Sequence, residues 1–271
     1  MAVFQPFSFL QGVTVGPTPT PTSSPIPTST PTPTPTSTPG GLPAWFSNFT
    51  FLYDANETTT FTDQSGNGNN GTENIIGSAA ITHNAGAAPY WAFTAPTAAS
   101  DQGYVSSGIA LGNYGITAGF TGFIVFKMTT TVGNDLSTFM RADAGTPELQ
   151  IYKERNSTDV TSRIASSNFP GTRRDITKAT NGYNAWNIVF FYQDMTAGTW
   201  NAAMNSGAAF SSTTSNTSAD TNNQTITVGR EAVSSTAPNI FDIGAVGIGL
   251  DYIGTSDFAS IYNYYDAIYS F

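Results

Sequence analysis

A run of proline and threonine between residues 17 and 43 constrains the fold more than any other feature of this chain. Ten of the 16 prolines lie in this run, and threonine or serine fills nearly every alternate position. Proline fixes the backbone φ angle and has no amide hydrogen to donate, so the run cannot join a helix or the interior of a sheet. The sequence predicts an extended, stiff polyproline II linker about 80 Å long.

Residues 1–16, which precede this linker, carry four large apolar side chains, Phe4, Phe7, Phe9 and Leu10. The segment has no Lys or Arg, and polar residues and a proline interrupt its apolar positions. It therefore matches neither a secretory signal peptide nor a membrane-spanning helix. Apolar residues ahead of a long linker are typical of a peptide that inserts into another protein. We predict an anchor peptide here; a terminus with incidental apolar residues is the alternative.

Composition narrows the chemistry of the rest of the chain. Apolar residues make up 39% of the sequence and charged residues 10%, so a folded core is expected rather than disorder. There is no cysteine and one histidine, which excludes disulfides, thiolate metal sites, a cysteine nucleophile and a multi-histidine metal site. Nine basic against 18 acidic side chains give a net charge of −9, so a nucleic-acid partner is not expected.

Residues 44–271 show the pattern of one all-β domain. Short runs rich in aromatic and β-branched residues are separated by clusters of Gly, Asn, Ser and Asp. The predicted strands are 50–55, 90–94, 103–110, 122–129, 137–141, 148–154, 159–165, 186–193, 199–204, 224–229 and 241–250. A closing helix is predicted at residues 255–265, capped by Thr255 or Ser256. Its buried face is predicted to carry Phe258, Ile261, Tyr262 and Tyr265.

Three segments of this domain resemble one known family. They are LYDANETTTFTDQSGNGNNGT at residues 52–72, the strand–turn–strand at 186–207, and the last strand with its helix at 243–265. Their order is similar to the concanavalin A-like lectin/glucanase superfamily, in the laminin-G-like form found in virion proteins of tailed phages. The resemblance implies a jelly-roll sandwich of two antiparallel sheets with a short C-terminal helix, preceded by the extended linker and the anchor peptide.

The catalytic residues of the family's glucanases are not matched. Those enzymes place two carboxylates on one strand face, in a Glu-x-Asp-x-x-Glu or similar pattern, because alternate strand residues point into the same groove. None of the five glutamates here has an acid two residues away within a strand. Ser–His–Asp catalysis would have to use the lone histidine, His83, but the sequence has no nucleophile-elbow motif of the Gly-x-Ser-x-Gly kind. We therefore predict that the chain is not an enzyme.

The loop at residues 63–70 is the candidate metal site. Asp63 offers a carboxylate, Asn67 and Asn69 offer amide oxygens, and the glycines permit a tight loop, which together could hold Ca²⁺. The loop lacks the alternating acids and the closing glutamate of an EF-hand. A metal-free loop, in which Asn and Gly serve positive-φ turns, is favoured, so no cofactor is predicted and Ca²⁺ is the alternative.

Carbohydrate binding would use aromatic rings at the rim of the sandwich. The candidates are Tyr114, in a Gly/Asn loop, with Trp91 and Tyr104, although aromatic residues of an all-β domain also form its core. Trp186 and Trp200 lie inside strong strand patterns and are predicted to pack.

Together these features predict a virion structural protein of a tailed phage. Residues 1–16 would attach it to other virion proteins on the head or tail, as a decoration or fibre-like appendage, and the sandwich would bind glycans or another host surface. No membrane partner is expected, and a homo-oligomer stays open. The alternatives are a purely structural capsid or tail protein, a bacterial surface adhesin and a glycan hydrolase with an unrecognised acid pair.

Overall fold

The computed structural model describes residues 42–94, 101–110, 117–128, 137–143, 147–153, 160–164, 172–176, 184–206, 211–214, 225–229, 241–252 and 254–271. The predicted anchor peptide, residues 17–41 of the predicted linker and Tyr114 lie outside these ranges.

Two antiparallel sheets make up the described part of the chain. One has eight strands: β1 (Phe51–Asp54), β3 (Ala80–Asn84), β4 (Tyr90–Thr94), β6 (Gly119–Met128), β11 (Trp186–Asp194), β12 (Thr199–Met204), β13 (Ser211–Thr214) and β15 (Phe241–Leu250). The other has seven: β2 (Thr72–Ile76), β5 (Gln102–Ala110), β7 (Ser137–Asp143), β8 (Pro147–Lys153), β9 (Val160–Ile164), β10 (Thr172–Ile176) and β14 (Thr225–Val228).

In both sheets, strands that are far apart in the sequence lie side by side. The eight-stranded sheet runs β13-β12-β11-β6-β15-β4-β3, with β1 also paired to β15, and the seven-stranded sheet runs β10-β9-β8-β7-β14-β5-β2. A chain of this topology buries one face of each sheet against the other. The predicted all-β sandwich of two antiparallel sheets is confirmed.

The central strand β6 shows why its sequence is almost continuously apolar. Phe120, Ile124 and Phe126 point into the main core between the two sheets. Phe123 and Val125, which alternate with them, belong to a second core on the outer face of the eight-stranded sheet. Since both faces of the strand are covered, the two-residue alternation of apolar and polar side chains disappears.

The second core is covered by the helix α1 (Phe258–Tyr269) and by a 3-10 segment at Ala44–Asn48. The predicted helix is confirmed, and it runs four residues beyond its predicted end at Tyr265. Tyr262 was predicted to be buried but is only partly so, and Tyr269 takes its place in the buried face. The described helix has 12 residues and falls short of the length and apolar character of a membrane span, as does any other helix in the described ranges.

The start of the helix differs from the sequence prediction. No side chain caps α1, and Thr255 and Ser256 instead belong to a 3-10 turn, Thr255–Asp257, that precedes it. The Asp257 carboxylate accepts a hydrogen bond of 2.7 Å from Asn48 Nδ2 and also contacts the Tyr252 hydroxyl. This carboxylate therefore ties the helix start to the 3-10 segment rather than capping the helix.

Candidate functional site

The predicted sugar-stacking aromatic residues do not share one surface. Trp91 is 1% exposed, its ring stacks on Phe61 with centroids 4.2 Å apart, and its Nε1 donates to the Thr59 carbonyl oxygen at 3.1 Å. The prediction of a sugar-binding ring at Trp91 is therefore corrected, because the alternation along β4 turns this residue into the core. Tyr104 is partly exposed on β5, where it stays a prediction, and Tyr114 lies outside the described residues.

The two tryptophans predicted to pack do so. Trp200 is fully buried in the main core. Trp186 is partly buried and packs on Tyr269 of α1, with ring centroids 4.6 Å apart. Neither ring is therefore an open platform for a ligand.

The predicted metal loop is organised around the carboxylate of Asp63. Its Oδ1 accepts hydrogen bonds from the amides of Leu52 (3.0 Å) and Ser65 (2.9 Å), and its Oδ2 accepts from the Ser65 hydroxyl (2.8 Å) and the Asn69 amide (2.9 Å). Gly66 and Gly68 adopt φ angles of 87° and 76°, which favour glycine. The carboxylate thus fixes a tight loop against the start of β1.

The structure does bring Asn67 and Asn69 together with Asp63, but their side chains also serve the fold. Asn67 Nδ2 donates to the Phe49 carbonyl at 2.8 Å, and Asn69 Nδ2 donates to the Thr50 carbonyl at 2.7 Å. Each Asp63 oxygen already accepts two protein donors, so a calcium ion would have to displace some of them. Calcium at this loop stays the alternative to a metal-free loop.

A polar groove of about 530 Å³ lies beside the other end of β1. We call it the hairpin groove, because the loop after β1 forms one wall and the turn between β3 and β4 forms the other. It is lined by Ala55, Asn56, Glu57, Thr58, Thr59, His83, Ala85, Gly86 and Pro89. The walls are held together by His83 Nε2, which lies 3.1 Å from the Ala55 carbonyl oxygen.

Glu57 is the charged residue of this groove, and two neighbours fix its carboxylate. Tyr264 of α1 donates its hydroxyl to Glu57 Oε1 at 3.0 Å, and Asn56 Nδ2 donates to the same oxygen at 3.0 Å. Burial, together with the nearby carboxylates of Asp54 and Glu57, raises the pKa of Tyr264 far above its usual value, so the phenol remains a donor. Among the described residues, no donor reaches Oε2, which is left as an acceptor.

Asp54 lies beneath the groove and is fully buried. Its Oδ1 accepts a hydrogen bond from the backbone amide of Asn56 at 2.9 Å, and its Oδ2 accepts one from the Tyr265 hydroxyl at 3.0 Å. Burial raises the pKa of Asp54 to about 7, outweighing the lowering effect of these two hydrogen bonds. Asp54 therefore anchors both the groove loop and helix α1 to β1.

The sequence alone does not reveal the hairpin groove. Asn56 and Glu57 stand within the segment that carries the family resemblance, but no motif distinguishes them there. The partner that fixes Glu57 lies 207 positions away along the chain. An Asn-Glu pair directly after a buried strand is the one local signal that could have drawn attention to the site.

Comparison with known proteins identifies the fold. No protein-family model matches the chain, and no curated protein matches it. Among solved structures, it is similar to the binding domain of botulinum neurotoxin DC in complex with rat synaptotagmin II, with a TM-score of 0.63 and 13% identity over 81% of this chain and 52% of that one. A structure from work on botulinum neurotoxin type C, whose cell entry depends upon interaction with two ganglioside molecules, gives 0.61 and 15% over 81% and 52%.

A third structure, the binding domain of botulinum neurotoxin DC in complex with SialylT, gives a TM-score of 0.58 and 13% identity over 79% of this chain and 50% of that one. The chain spans about half the length of these matched chains. Identity this low establishes a shared sandwich fold. The concanavalin A-like and phage assignments from the sequence motifs stay predictions.

Proposed function

We propose that the chain is a glycan-binding sandwich and that the hairpin groove holds the sugar. The observation that carries this proposal is the carboxylate of Glu57, fixed by Tyr264 and Asn56 with one oxygen left open. Sugar hydroxyls donate strong hydrogen bonds to a carboxylate, and a group that is held in place beforehand loses little entropy on binding.

The other groups of the groove suit the same ligand. Thr58 and Thr59 carry hydroxyls that can both donate and accept, and Ala85 and Pro89 offer small apolar surfaces to the C–H faces of a sugar ring. Among the described lining residues there is no lysine or arginine to balance Glu57. The groove therefore favours a neutral, hydroxyl-rich ligand over an anionic one.

The likeness to the neurotoxin structures supports a binding role. The structures cited above include one from work on a toxin whose cell entry depends on gangliosides and one solved in complex with SialylT. Because this chain matches only about half of those chains, the proposal takes from them a general role in surface recognition and no particular glycan.

Replacing Glu57 with glutamine should weaken glycan binding about tenfold, because the neutral amide replaces a charge-assisted acceptor worth at least about 1.4 kcal/mol. The full chain would be applied to a glycan array, and its affinity for each glycan that retains it would then be measured by calorimetry. Glu73→Gln is the matched control, since Glu73 is exposed on β2 and outside the groove. An array that retains no glycan, or equal affinities for the two variants, would refute the proposal.

The alternative function is that of a glycan hydrolase, and Asp54 is the residue that suggests it. A carboxyl group with a pKa of about 7 close to a second carboxylate resembles the acid of a glycosidase. However, Asp54 is fully buried, and its two oxygens are engaged by the Asn56 amide and the Tyr265 hydroxyl. Asp54 is not among the residues that line the groove, so the geometry favours binding without hydrolysis.

We further propose that the sandwich is displayed on the surface of a tailed-phage particle, on its head or tail. The support is the organisation of the sequence: an apolar segment at residues 1–16, an uncharged Pro/Thr-rich segment at 17–43 and a β-sandwich after it. In this proposal, residues 1–16 bind another virion protein and the linker holds the sandwich away from it.

Deleting residues 1–15 should abolish attachment to the particle, because the four large apolar side chains of the anchor would be lost. Attachment would be measured by mass spectrometry of purified virions, and circular dichroism would show whether the sandwich remains folded. A deletion of equal length within the linker, residues 18–32, is the control and should remain attached. Attachment that survives the loss of residues 1–15 would refute the anchor, and absence of the full chain from virions would refute the localisation.

A further inference from the structure

A second polar groove, of about 490 Å³, lies at the end of β1 opposite the hairpin groove. It is lined by Ser47, Asn48, Phe49, Thr50, Asn67, Asn69 and Leu250. We call it the asparagine groove. Unlike the hairpin groove, it has no ionisable side chain among its described lining residues, so a ligand here would be recognised by uncharged groups alone.

The three asparagines of this groove direct their amide nitrogens to the protein. Asn67 Nδ2 donates to the Phe49 carbonyl at 2.8 Å, Asn69 Nδ2 to the Thr50 carbonyl at 2.7 Å, and Asn48 Nδ2 to the Asp257 carboxylate at 2.7 Å. A carbonyl or carboxylate oxygen can only accept, so these contacts fix which way each amide points.

The amide oxygens are consequently left as acceptors. In the described part of the chain, no donor reaches Oδ1 of Asn48, Asn67 or Asn69, and none of these oxygens is buried without a partner. The Ser47 hydroxyl donates to the Ala44 carbonyl at 3.0 Å, so its oxygen also has its lone pairs available. The groove thus presents several acceptors and few donors.

These acceptors are also held rigidly. The backbone amide of Asn69 donates a hydrogen bond to Asp63 Oδ2 at 2.9 Å, and the backbone amide of Leu250 donates one to the Thr50 hydroxyl at 2.8 Å. The loop that carries Asn67 and Asn69 is therefore joined to β1 through Leu52 and to Thr50, which is itself joined to β15, before any ligand arrives. Preorganised groups of this kind are expected to increase affinity by reducing the entropy lost on binding.

We propose that the asparagine groove is a second saccharide-binding site, specific for a neutral sugar whose hydroxyls donate to the asparagine oxygens. An anionic ligand brings further acceptors and would meet the carboxylates of Asp63 and Asp257 behind the asparagines. A divalent cation would find amide oxygens, but four protein donors occupy the Asp63 carboxylate and two occupy Asp257 Oδ2. A neutral polyol is the ligand that matches both the polarity and the charge.

The test is a titration of the isotopically labelled full chain, followed by the backbone amide signals of residues 47–50 and the side-chain amide signals of Asn67 and Asn69. The probes are the neutral disaccharides lactose, maltose and cellobiose, then N-acetylneuraminic acid, and calcium chloride alone. At least one neutral disaccharide should shift these signals, and the other two ligands should leave them in place.

Ser47→Arg should weaken this binding at least about tenfold, because Ser47 is exposed on the groove wall and a long side chain there would occupy the groove. Thr82→Arg is the matched control, since Thr82 is exposed on β3 and outside both grooves. Shifts that are absent with all three disaccharides, that persist unchanged in Ser47→Arg, or that arise with calcium alone would overturn the proposal. Signals of residues 56–59 report on the hairpin groove separately, so either site can fail without the other.

Discussion

Replacing Lys127 with methionine is expected to lower the free energy of unfolding by about 3 kcal/mol at pH 8. Lys127 Nζ lies 2.9 Å from Asp242 Oδ2, and the two side chains are 19% and 7% exposed. The ammonium also lies 4.8 Å from the ring centres of Tyr90 and of Trp186. Methionine keeps most of the volume between these rings but leaves the Asp242 carboxylate buried without its counter-ion.

The pH dependence identifies the cause of this loss. Burial raises the pKa of Asp242, and Lys127 is the group that lowers it again, so removing Lys127 must raise that pKa further. The penalty in Lys127→Met should therefore shrink as the pH falls from 8 to 5 and Asp242 takes up a proton. Urea unfolding of the full chain, followed by tryptophan fluorescence, measures both values.

The double variant Lys127→Met, Asp242→Asn is the control for the buried charge. It should recover most of the lost stability, since an uncharged pair of similar volume costs far less to bury than a lone carboxylate. If the single and double variants are equally destabilised at pH 8, lost packing against Tyr90 and Trp186 is the cause and the electrostatic explanation is wrong.

Strands of the core were predictable from sequence because burial on one or both faces leaves a strong apolar pattern. β4, β12 and β15 have the bounds that the sequence predicts, and β6 begins three residues earlier than predicted. Strands at or near the sheet edges were missed. β2 carries the sequence TENII, whose side chains are mostly exposed, and β10 carries TRRDI, so neither has an apolar face that the sequence could reveal.

Site residues were harder to predict. Side chains alternate between the two faces of a strand, but where both faces carry aromatic residues the sequence does not show which face is buried. Tyr90 and Trp91 are adjacent aromatic residues of β4, and only the fold shows that Trp91 enters the core while Tyr90 remains partly exposed. Asp63 was predicted as the anionic ligand of a calcium site, but the composition of the loop could not show that four protein donors occupy its carboxylate. Which donors reach a carboxylate is decided by the folded structure.

Asp54→Asn is expected to stabilise the protein at pH 8 by about 4 kcal/mol while changing little at pH 4. Asp54 is fully buried, its ordinary pKa of 3.8 is raised to about 7, and Tyr264, Tyr265, Tyr269 and Glu57 are the titratable groups around it. A raised folded-state pKa means that the neutral form stabilises the fold, so this contribution is complete below about pH 4 and lost as the pH rises through 7. About three pH units correspond to about 4 kcal/mol.

The asparagine substitution keeps both contacts while removing the charge. Its amide oxygen can accept from the Asn56 amide, and its amide nitrogen can donate to the Tyr265 hydroxyl. Urea unfolding between pH 4 and pH 8 should give stability curves for the wild type and Asp54→Asn that meet near pH 4, separate progressively between pH 4 and pH 7, and run nearly parallel above pH 7. Other carboxylates with shifted pKa values, such as Asp242 and Asp251, titrate in both proteins and cancel in the difference.

Asp54→Ala separates the charge of Asp54 from its hydrogen bonds. Alanine leaves the Asn56 amide and the Tyr265 hydroxyl without their partner, and it opens a cavity between β1 and α1, so it should destabilise the protein at every pH. Parallel curves for the wild type and Asp54→Asn would show that Asp54 is ionised in the folded protein across this range. In that case the groove loop and helix α1 would be held by a buried carboxylate, and the hydrogen bonds from Asn56 and Tyr265 would have to offset its full desolvation cost.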